Sequence, residues 1–342
     1  MKMILSSVMA ALSAPAHIGM AAAQEAAQSD QHIEAENVLP AASAKVGNVD
    51  ADGGKVDLAR RANFAEAMNE VAERQKVFAG EPELFSLDGA FAQGGILFGQ
   101  TEIGAKVTLD GEDVMVDDDG RFLIGFGRDS ALTALVVVTL PDGRVERRSI
   151  EIEDREFPVQ RIDGLDQSKV SGFTEEQLAK IGKDSALKKA ARTKSQRLAD
   201  WSVGFDWPVT GRISGVFGSQ RILNGEPKTP HSGLDIAAPT GTEIHAPAPG
   251  IVRLAEDDMY FEGGLVLLDH GHWLESAFLH MSRIDVVPGQ RVEKGDVIGA
   301  VGATGRVTGP HLHWSMKWAG RLVDPQLTLD PMAQPKAASA GE

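Results

Sequence analysis

Short apolar runs separated by turn sequences fill the segment from residue 80 to residue 157, and in the last run, residues 145–152, the side chains alternate between two faces. Alternation of this kind is typical of a β-strand that buries one of its two faces. The runs span residues 94–100, 105–109, 113–116, 121–125, 132–140 and 145–152, with turn sequences such as Asp110-Gly111 between them. This pattern predicts a small β-sandwich-like domain over residues 80–157. The segment contains no histidine cluster, and we expect it to be a scaffold, spacer or binding module.

Two further segments have the period of an α-helix. In residues 56–79, Phe64, Met68 and Val71 fall near one face, which predicts a helix. Residues 158–200 predict a helical linker, in which Thr174 and Gln177 have the spacing of a capping box. A solvated helix face is the simpler interpretation of the basic residues that follow, and contact with an anionic envelope surface is the alternative. These basic residues are Lys180, Lys183, Lys188, Lys189, Arg192, Lys194 and Arg197.

The composition of the two ends of the chain predicts that neither end contributes to a packed core. Residues 1–23 combine Lys2, an apolar stretch and small residues before Gln24, which is typical of a secretory signal peptide. Residues 24–55 are rich in Ala, Glu, Gln, Ser and Gly, and the tail at 331–342 is rich in Ala and Ser, so we expect both to be disordered. The sequence therefore predicts a secreted protein that is periplasmic or associated with the cell envelope.

Composition excludes several classes of function. The 342 residues include no cysteine, so a thiol nucleophile, a disulfide framework and a cysteine-based zinc site are excluded. The formal net charge of -15 argues against generic nucleic-acid binding, which needs Lys and Arg to neutralise phosphates. No apolar run is long enough for a transmembrane helix. Any metal site must therefore use His, Asp or Glu.

Seven of the nine histidines lie in residues 201–330, a segment that also holds all five tryptophans. Within it, His231 and Asp235 are four residues apart with Gly233 between them, and a bend at the glycine would turn both side chains to one point. Alone this pair is a weak signal, because such pairs occur by chance in many chains.

Residues 309–318 are more specific, because they predict a strand with strict alternation. The apolar face has Leu312, Trp314, Met316 and Trp318, and the polar face has His311, His313, Ser315 and Lys317. His311 and His313 are therefore expected to point to the same side of the strand. His280 ends another apolar strand and is a candidate for the same cleft. A packed or surface histidine is the simpler interpretation for one His, whereas two beside a His/Asp pair favour a ligand site.

Two histidines and one aspartate meet the needs of a catalytic zinc site, which has three protein ligands and keeps one position open for water. Such a site lowers the pKa of its water to about 7. Amide hydrolysis also needs a base for the water proton and a donor for the tetrahedral oxyanion. Two further histidines are suited to those roles, so five side chains account for a complete reaction.

The C-terminal residues resemble the LytM/lysostaphin-type zinc metallopeptidases, a family of peptidoglycan endopeptidases. The family's His-x-x-x-Asp motif is matched by His231 and Asp235, and its strand-end histidine by His280. Its His-x-His motif is matched by His311 and His313, which follow a loop of the family type, Thr304-Gly-Arg-Val-Thr-Gly-Pro. The similarity runs from about residue 207 to residue 325, and its combined motifs are highly specific. In one departure, Phe-Leu-His-Met at 278–281 stands where the family often has Tyr-x-His-Leu.

This resemblance implies an antiparallel β peptidase domain over residues 201–330, and hence a mainly β protein. It implies one Zn²⁺ per chain, held by His231, Asp235 and His313. It also implies that His280 and His311 are the base and the transition-state stabiliser, in an order that the sequence does not fix.

The substrate that the resemblance implies is a peptidoglycan stem peptide or cross-link, cut by a D,D-endopeptidase. Arg221 and Asn224, just before the metal motif, are candidates to line the substrate groove. An equally good interpretation of both is that they are loop residues that make contacts with the backbone.

Three alternatives remain at this point. A cell-wall binding protein or an activator of other wall hydrolases would use the same fold without catalysis. Residues 292–299 resemble the hairpin of biotinyl and lipoyl carrier domains, but Lys317 lies too far downstream to be the modified lysine, and a carrier needs no His/Asp cluster. If the N-terminal regions cover the groove, a chain that begins near Trp201 is expected to be at least as active as the full mature chain.

Overall fold

The structure is a computed structural model, and it describes residues 83–163 and 173–329. The described chain is mainly antiparallel β, which confirms the fold class predicted from the sequence. The predicted signal peptide (1–23), the segments 24–55 and 331–342, and the predicted helix at 56–79 lie outside the described residues.

Residues 83–153, here called the N-terminal unit, form two antiparallel sheets with strand orders β1-β2-β5 and β4-β3-β6-β7. Every run predicted as a strand in this region overlaps one of these strands, whereas β1 was not predicted as a separate strand. The seven strands are β1 (Phe85–Gly89), β2 (Ile96–Thr101), β3 (Lys106–Leu109), β4 (Glu112–Val114), β5 (Arg121–Gly125), β6 (Thr133–Thr139) and β7 (Val145–Glu151).

The linker contains a strand, a helix and a 3-10 helix: β8 (Val159–Ile162), α1 (Glu175–Ala191) and Asp200–Val203. The helix begins at the predicted capping box. The hydroxyl of Thr174 accepts from the backbone N–H of Gln177 at 3.2 Å, and the Gln177 side chain accepts from the Thr174 N–H at 2.9 Å. These two bonds satisfy backbone donors that would otherwise lack a partner in the first helical turn.

The interpretation of the basic residues as a solvated helix face is wrong for Lys188. This side chain is buried and pairs with the buried Glu262, and Arg192 pairs with Glu275. Lys183 and Lys189 of the helix are exposed, as a solvated face requires.

Residues 201–329, here called the C-terminal unit, are built on an eight-stranded sheet with the order β18-β14-β15-β16-β20-β12-β9, in which β21 also pairs with β20. Two three-stranded sheets flank it, with orders β13-β19-β17 and β11-β10-β8. The strands are β9 (Arg212–Gly215), β10 (Gln220–Leu223), β11 (Glu226–Pro227), β12 (Leu234–Ala237), β13 (Glu243–His245), β14 (Gly250–Met259), β15 (Gly263–Asp269), β16 (Leu274–Met281), β17 (Arg283–Ile284), β18 (Arg291–Val292), β19 (Val297–Ala300), β20 (Leu312–Trp318) and β21 (Arg321–Val323), followed by the 3-10 helix Pro325–Thr328.

The two units share a core and are tied together at their surfaces. One cluster of buried apolar side chains includes Phe122 of the N-terminal unit and Trp314 of the C-terminal unit. Phe98 stacks on Trp201 with 5.6 Å between ring centroids. An ion pair of 2.9 Å between Arg155 and Asp324 links the end of the N-terminal region to the end of the C-terminal unit. The exact unit boundaries predicted from the sequence stay predictions.

Within residues 83–163 and 173–329, every helix is too short or too polar to cross a lipid bilayer.

Candidate metal centre

The pairing of β12 with β20 brings two parts of the chain together that are far apart in sequence. The strands are antiparallel, and Asp235 lies directly opposite His313. The alternation predicted for β20 is confirmed, because Leu312, Trp314 and Met316 are fully buried. Gly233 allows the close approach, since a Cβ at this position would overlap the carbonyl of Trp314.

Three donor atoms converge at this pair of strands. His231 Nε2 lies 3.1 Å from Asp235 Oδ1 and 3.1 Å from His313 Nδ1, and His313 Nδ1 lies 2.8 Å from Asp235 Oδ1. All three residues are buried. In the part of the chain that the structure describes, this is the one group of three His, Asp or Glu side chains that is close enough together to hold a metal ion.

Hydrogen bonds on the far side of each imidazole fix which nitrogen faces the centre. His231 donates its Nδ1–H to the carbonyl of Val216 at 3.0 Å. His313 Nε2 lies 3.1 Å from the hydroxyl of Ser232, which leaves Nδ1 as the inward atom. Two ring nitrogens that face each other with lone pairs repel unless a cation lies between them. The donor set therefore fits one zinc ion, whose histidine ligands are held in this way by outer hydrogen bonds.

The charges of the centre agree with this fit. Burial opposes ionisation of Asp235, but the adjacent His231 and His313 outweigh it and hold the pKa of the carboxyl well below its usual range. Burial lowers the pKa of His313 and so favours the neutral imidazole. An ionised carboxylate and a neutral imidazole are the forms that bind zinc.

His280 and His311 lie beside this centre. Their rings are 4.9 Å apart, and the ring of His280 lies 6.2 Å from that of His313. His311 Nε2 is 3.8 Å from Asp235 Oδ1. The structure thus brings all five predicted side chains together.

The two flanking histidines are oriented by backbone carbonyls. His280 donates its Nδ1–H to the carbonyl of Thr304 at 3.0 Å, and His311 donates its Nδ1–H to the carbonyl of Gly309 at 2.9 Å. Each therefore has Nε2 as its proton-accepting atom. Both carbonyls belong to the loop at 304–310, which explains why this loop precedes the His-x-His motif.

Gly215 is a site residue that the sequence analysis missed. A Cβ at this position would overlap the carboxylate of Asp235 and lie 3.1 Å from Cε1 of His231. Its strand, β9, pairs with β12, so the glycine borders the candidate ligands Asp235 and His231 from the neighbouring strand. The glycine stands alone in the sequence, and only the strand pairing indicates its role.

Arg221 and Asn224 lie on the hairpin that precedes the metal motif. Arg221 is in β10, and Asn224 and Gly225 form its turn, with φ of 51° and 80°. The hairpin is attached to the metal motif, because the N–H of His231 donates to the carbonyl of Ser219 at 2.7 Å. A role of either residue in substrate binding stays a prediction.

The remaining histidines of the C-terminal unit pair elsewhere. His270 donates its Nδ1–H to the carbonyl of Pro249 at 2.7 Å, and its Nε2 lies 2.8 Å from the hydroxyl of Ser276. His272 contacts the carbonyl of Arg197 at 2.9 Å, and His245 contacts that of Gly295 at 2.9 Å. These contacts hold the three residues apart from the five side chains of the candidate centre.

Comparison with known proteins agrees with this geometry. The family model described as peptidase family M23 matches residues 229–325, the region that contains all five side chains. A crystal structure of a protein described as peptidase M23 from Pseudomonas aeruginosa is 32% identical, and the match covers 69% of this chain and 94% of that one with a TM-score of 0.53. The chain belongs to peptidase family M23.

Curated relatives of this M23 protein are similar to it over a part of their length. The peptidoglycan DD-endopeptidase ShyA of Vibrio cholerae is 39% identical over 36% of this chain and 28% of the relative. The cell division protein DipM of Caulobacter vibrioides is 34% identical over 42% of this chain and 22% of the relative. The chain thus spans less than a third of the length of the curated relatives it matches.

Proposed function

We propose that this M23 protein is a zinc-dependent endopeptidase that hydrolyses peptide bonds of peptidoglycan stem peptides or cross-links. The observation that carries the proposal is the convergence of His231, Asp235 and His313, whose donor atoms lie within 4.8 Å of one another. The DD-endopeptidase named among the relatives supports the same class of bond.

When bound, the zinc supplies Lewis acidity, which activates water and polarises a peptide carbonyl. The residues of the chain bind the ion and orient the groups that transfer protons. His231, Asp235 and His313 hold the ion, and the carbonyl of Val216 and the hydroxyl of Ser232 keep the two imidazoles oriented.

His280 and His311 supply the proton-transfer groups in this proposal. The Nε2 atom of one accepts the proton of the attacking water, and the other, when it is protonated at Nε2 as an imidazolium, donates a hydrogen bond from Nε2 to the oxyanion. Because both rings are fixed by the loop at 304–310, little reorientation is needed during the reaction. Both rings are held through Nδ1 by backbone carbonyls, so the geometry permits either division of the two roles.

A secreted location, periplasmic or envelope-associated, belongs to the same proposal, since peptidoglycan lies outside the cytoplasmic membrane. The predicted contact of the basic linker helix with an anionic envelope surface has less support. Lys188, Arg192 and Lys180 already pair with Glu262, Glu275 and Asp258 within the protein.

The test is digestion of purified sacculi by the mature chain, followed by muropeptide analysis and measurement of bound zinc. We expect one zinc per chain and the release of peptides cut at cross-links or stems. His231→Ala should abolish both, because it removes a ligand. His245→Ala is the control, since this exposed histidine lies outside the centre. Unchanged release by His231→Ala would contradict the assigned site.

The second candidate is a protein that binds the wall and activates other wall hydrolases. The similarity to DipM, whose name states a role in cell division and no enzymatic activity, favours it. In that case the mature chain binds sacculi and releases no peptides alone, but increases release by an added wall hydrolase. His231→Ala would then leave the stimulation intact.

A further inference from the structure

A buried ion pair connects the linker helix to the C-terminal unit close to the candidate centre. The ammonium of Lys188 pairs with Glu262 Oε1, and the two side chains are only 7% and 1% exposed. The second carboxylate oxygen of Glu262 is buried and has no hydrogen bond within the described residues. The ammonium of Lys188 thus lies opposite the Glu262 carboxylate, which is buried away from water.

The backbone of the same glutamate holds His280. The N–H of His280 donates to the carbonyl of Glu262 at 2.9 Å. His280 needs this support because its φ is 66°, in the left-handed region that residues other than glycine rarely adopt. A residue in such a conformation keeps it only where its surroundings hold it there.

The Glu262–Gly263 segment is fixed on its other side by the loop that orients the His280 ring. A Cβ at Gly263 would overlap the backbone of Thr304, so the two segments are in close contact. The hydroxyl of Thr304 donates to the carbonyl of Met281 and accepts from the N–H of Gly264, each at 2.9 Å. The pairing of β15 with β16 shifts register at this point, between Gly264 and Val266.

We propose that Lys188 is a positioning residue for His280 and acts through Glu262. The ion pair from the helix holds the Glu262 segment in contact with the Thr304 loop. The carbonyl of Glu262 then fixes the position and the φ angle of His280 through the hydrogen bond to its N–H. This inference rests on the proposed endopeptidase function, and it extends the catalytic machinery to a helix that lies outside the 229–325 match. In this proposal the charge of the pair fixes one arrangement of the helix against the Glu262 segment, a task that an apolar contact of the same volume would not perform.

Four variants of the full mature chain test the inference. Lys188→Met keeps most of the side-chain volume and removes the charge. The double variant Lys188→Met/Glu262→Leu replaces the pair by apolar side chains, a change that is often neutral for stability. Glu262→Gln keeps an oxygen that accepts from Lys188. Lys189→Met is the matched control, because Lys189 is the adjacent lysine of the helix and is exposed.

Each variant is measured for zinc content, thermal unfolding, kcat and KM on a soluble cross-linked muropeptide, and hydrogen exchange of the His280 amide. For Lys188→Met we expect kcat to fall by about tenfold or more with KM changed less than about twofold, since small displacements of a catalytic group act on kcat. The His280 amide should exchange faster, and zinc content should stay at the wild-type value. Glu262→Gln removes the charge that faces the Lys188 ammonium, so its kcat should fall in the same direction as that of Lys188→Met, and Lys189→Met should match wild type.

The double variant separates positioning from simple support of the fold. If Lys188 positions His280, the double variant unfolds near the wild-type temperature, yet kcat stays low and the His280 amide stays exposed to exchange. The inference would be overturned if the double variant had the wild-type unfolding temperature, the wild-type kcat and a His280 amide as protected from exchange as in wild type. This outcome can be read even if Lys188→Met alone fails to fold. If the wild-type chain releases no peptide, the proposed function fails, while the His280 exchange rates still decide whether Lys188 positions that residue.

Discussion

At the scale of single residues, the centre depends on small neighbours as much as on its ligands. Asp235 and His313 face each other because a strand repeats every two residues and β12 pairs with β20 in one register. Gly233 leaves room for the backbone of Trp314, and Gly215 leaves room for the carboxylate of Asp235. The histidines and the aspartate could be selected from their spacing in the sequence, whereas Gly215 could not, because its importance comes from a strand partner.

Gly215→Ala is expected to weaken zinc binding by about tenfold or more, because the added methyl group would overlap the carboxylate of Asp235. Competition with a chromogenic chelator measures the affinity. Gly127→Ala is the matched control, since a Cβ there would have no neighbour closer than 3.8 Å. Equal zinc affinity of Gly215→Ala and wild type would show that β9 does not confine the carboxylate.

At the scale of elements, helix α1 shows that local interactions determine where a helix begins, whereas tertiary contacts determine which of its residues are buried. The capping box at Thr174 predicted where the helix begins, because its bonds are made within one turn. Its buried contacts could not be predicted, since Ile181 packs on Phe261 and Lys188 pairs with Glu262, residues of a distant strand region. The parallel pairing of β8 with β10 was missed for the same reason: a four-residue strand has too little pattern to reveal a distant partner.

Thr174→Ala is expected to lower the free energy of unfolding by about 1 kcal/mol, because it removes the hydroxyl that accepts from the Gln177 N–H. Urea denaturation followed by tryptophan fluorescence measures the change. Thr174→Ser keeps the hydroxyl and should stay within about 0.5 kcal/mol of wild type. A loss as large in the serine variant would point to the methyl group and not to the cap.

At the scale of the whole molecule, stability should depend on pH through buried histidines outside the metal centre. Burial lowers the pKa of His270 below its ordinary value of 6.5, although the Pro249 carbonyl and Asp269 oppose the shift. In the unfolded chain the imidazole binds a proton near pH 6.5, before the folded protein does. The contribution of His270 is therefore complete above about pH 6.5 and is lost as the pH falls towards its folded pKa.

His270→Asn should reduce the slope of unfolding free energy against pH between about pH 6.5 and 5.5, by up to about 1.4 kcal/mol per pH unit. Urea titrations at several pH values measure the two slopes. Because metal release also depends on pH, the comparison is with His245→Asn, which alters an exposed histidine and should keep the wild-type slope. Identical slopes for all three proteins would contradict the role of His270.

Truncation decides whether the N-terminal regions cover the groove or support the fold. The sequence predicted that a chain beginning near Trp201 is at least as active as the mature protein. That chain lacks α1, so Phe261 would lose Ile181, a fully buried side chain whose burial contributes about 1.5–3 kcal/mol, and Glu262 would lose Lys188. We therefore expect it to unfold at least about 5 °C below a chain beginning at Phe173, which keeps the helix and its own edge contact with Phe261.

Calorimetry and release from sacculi compare the two chains, which differ only in the helix and the segment after it. Higher release by the shorter chain, at an equal unfolding temperature, would favour a covering role and leave α1 without a supporting one.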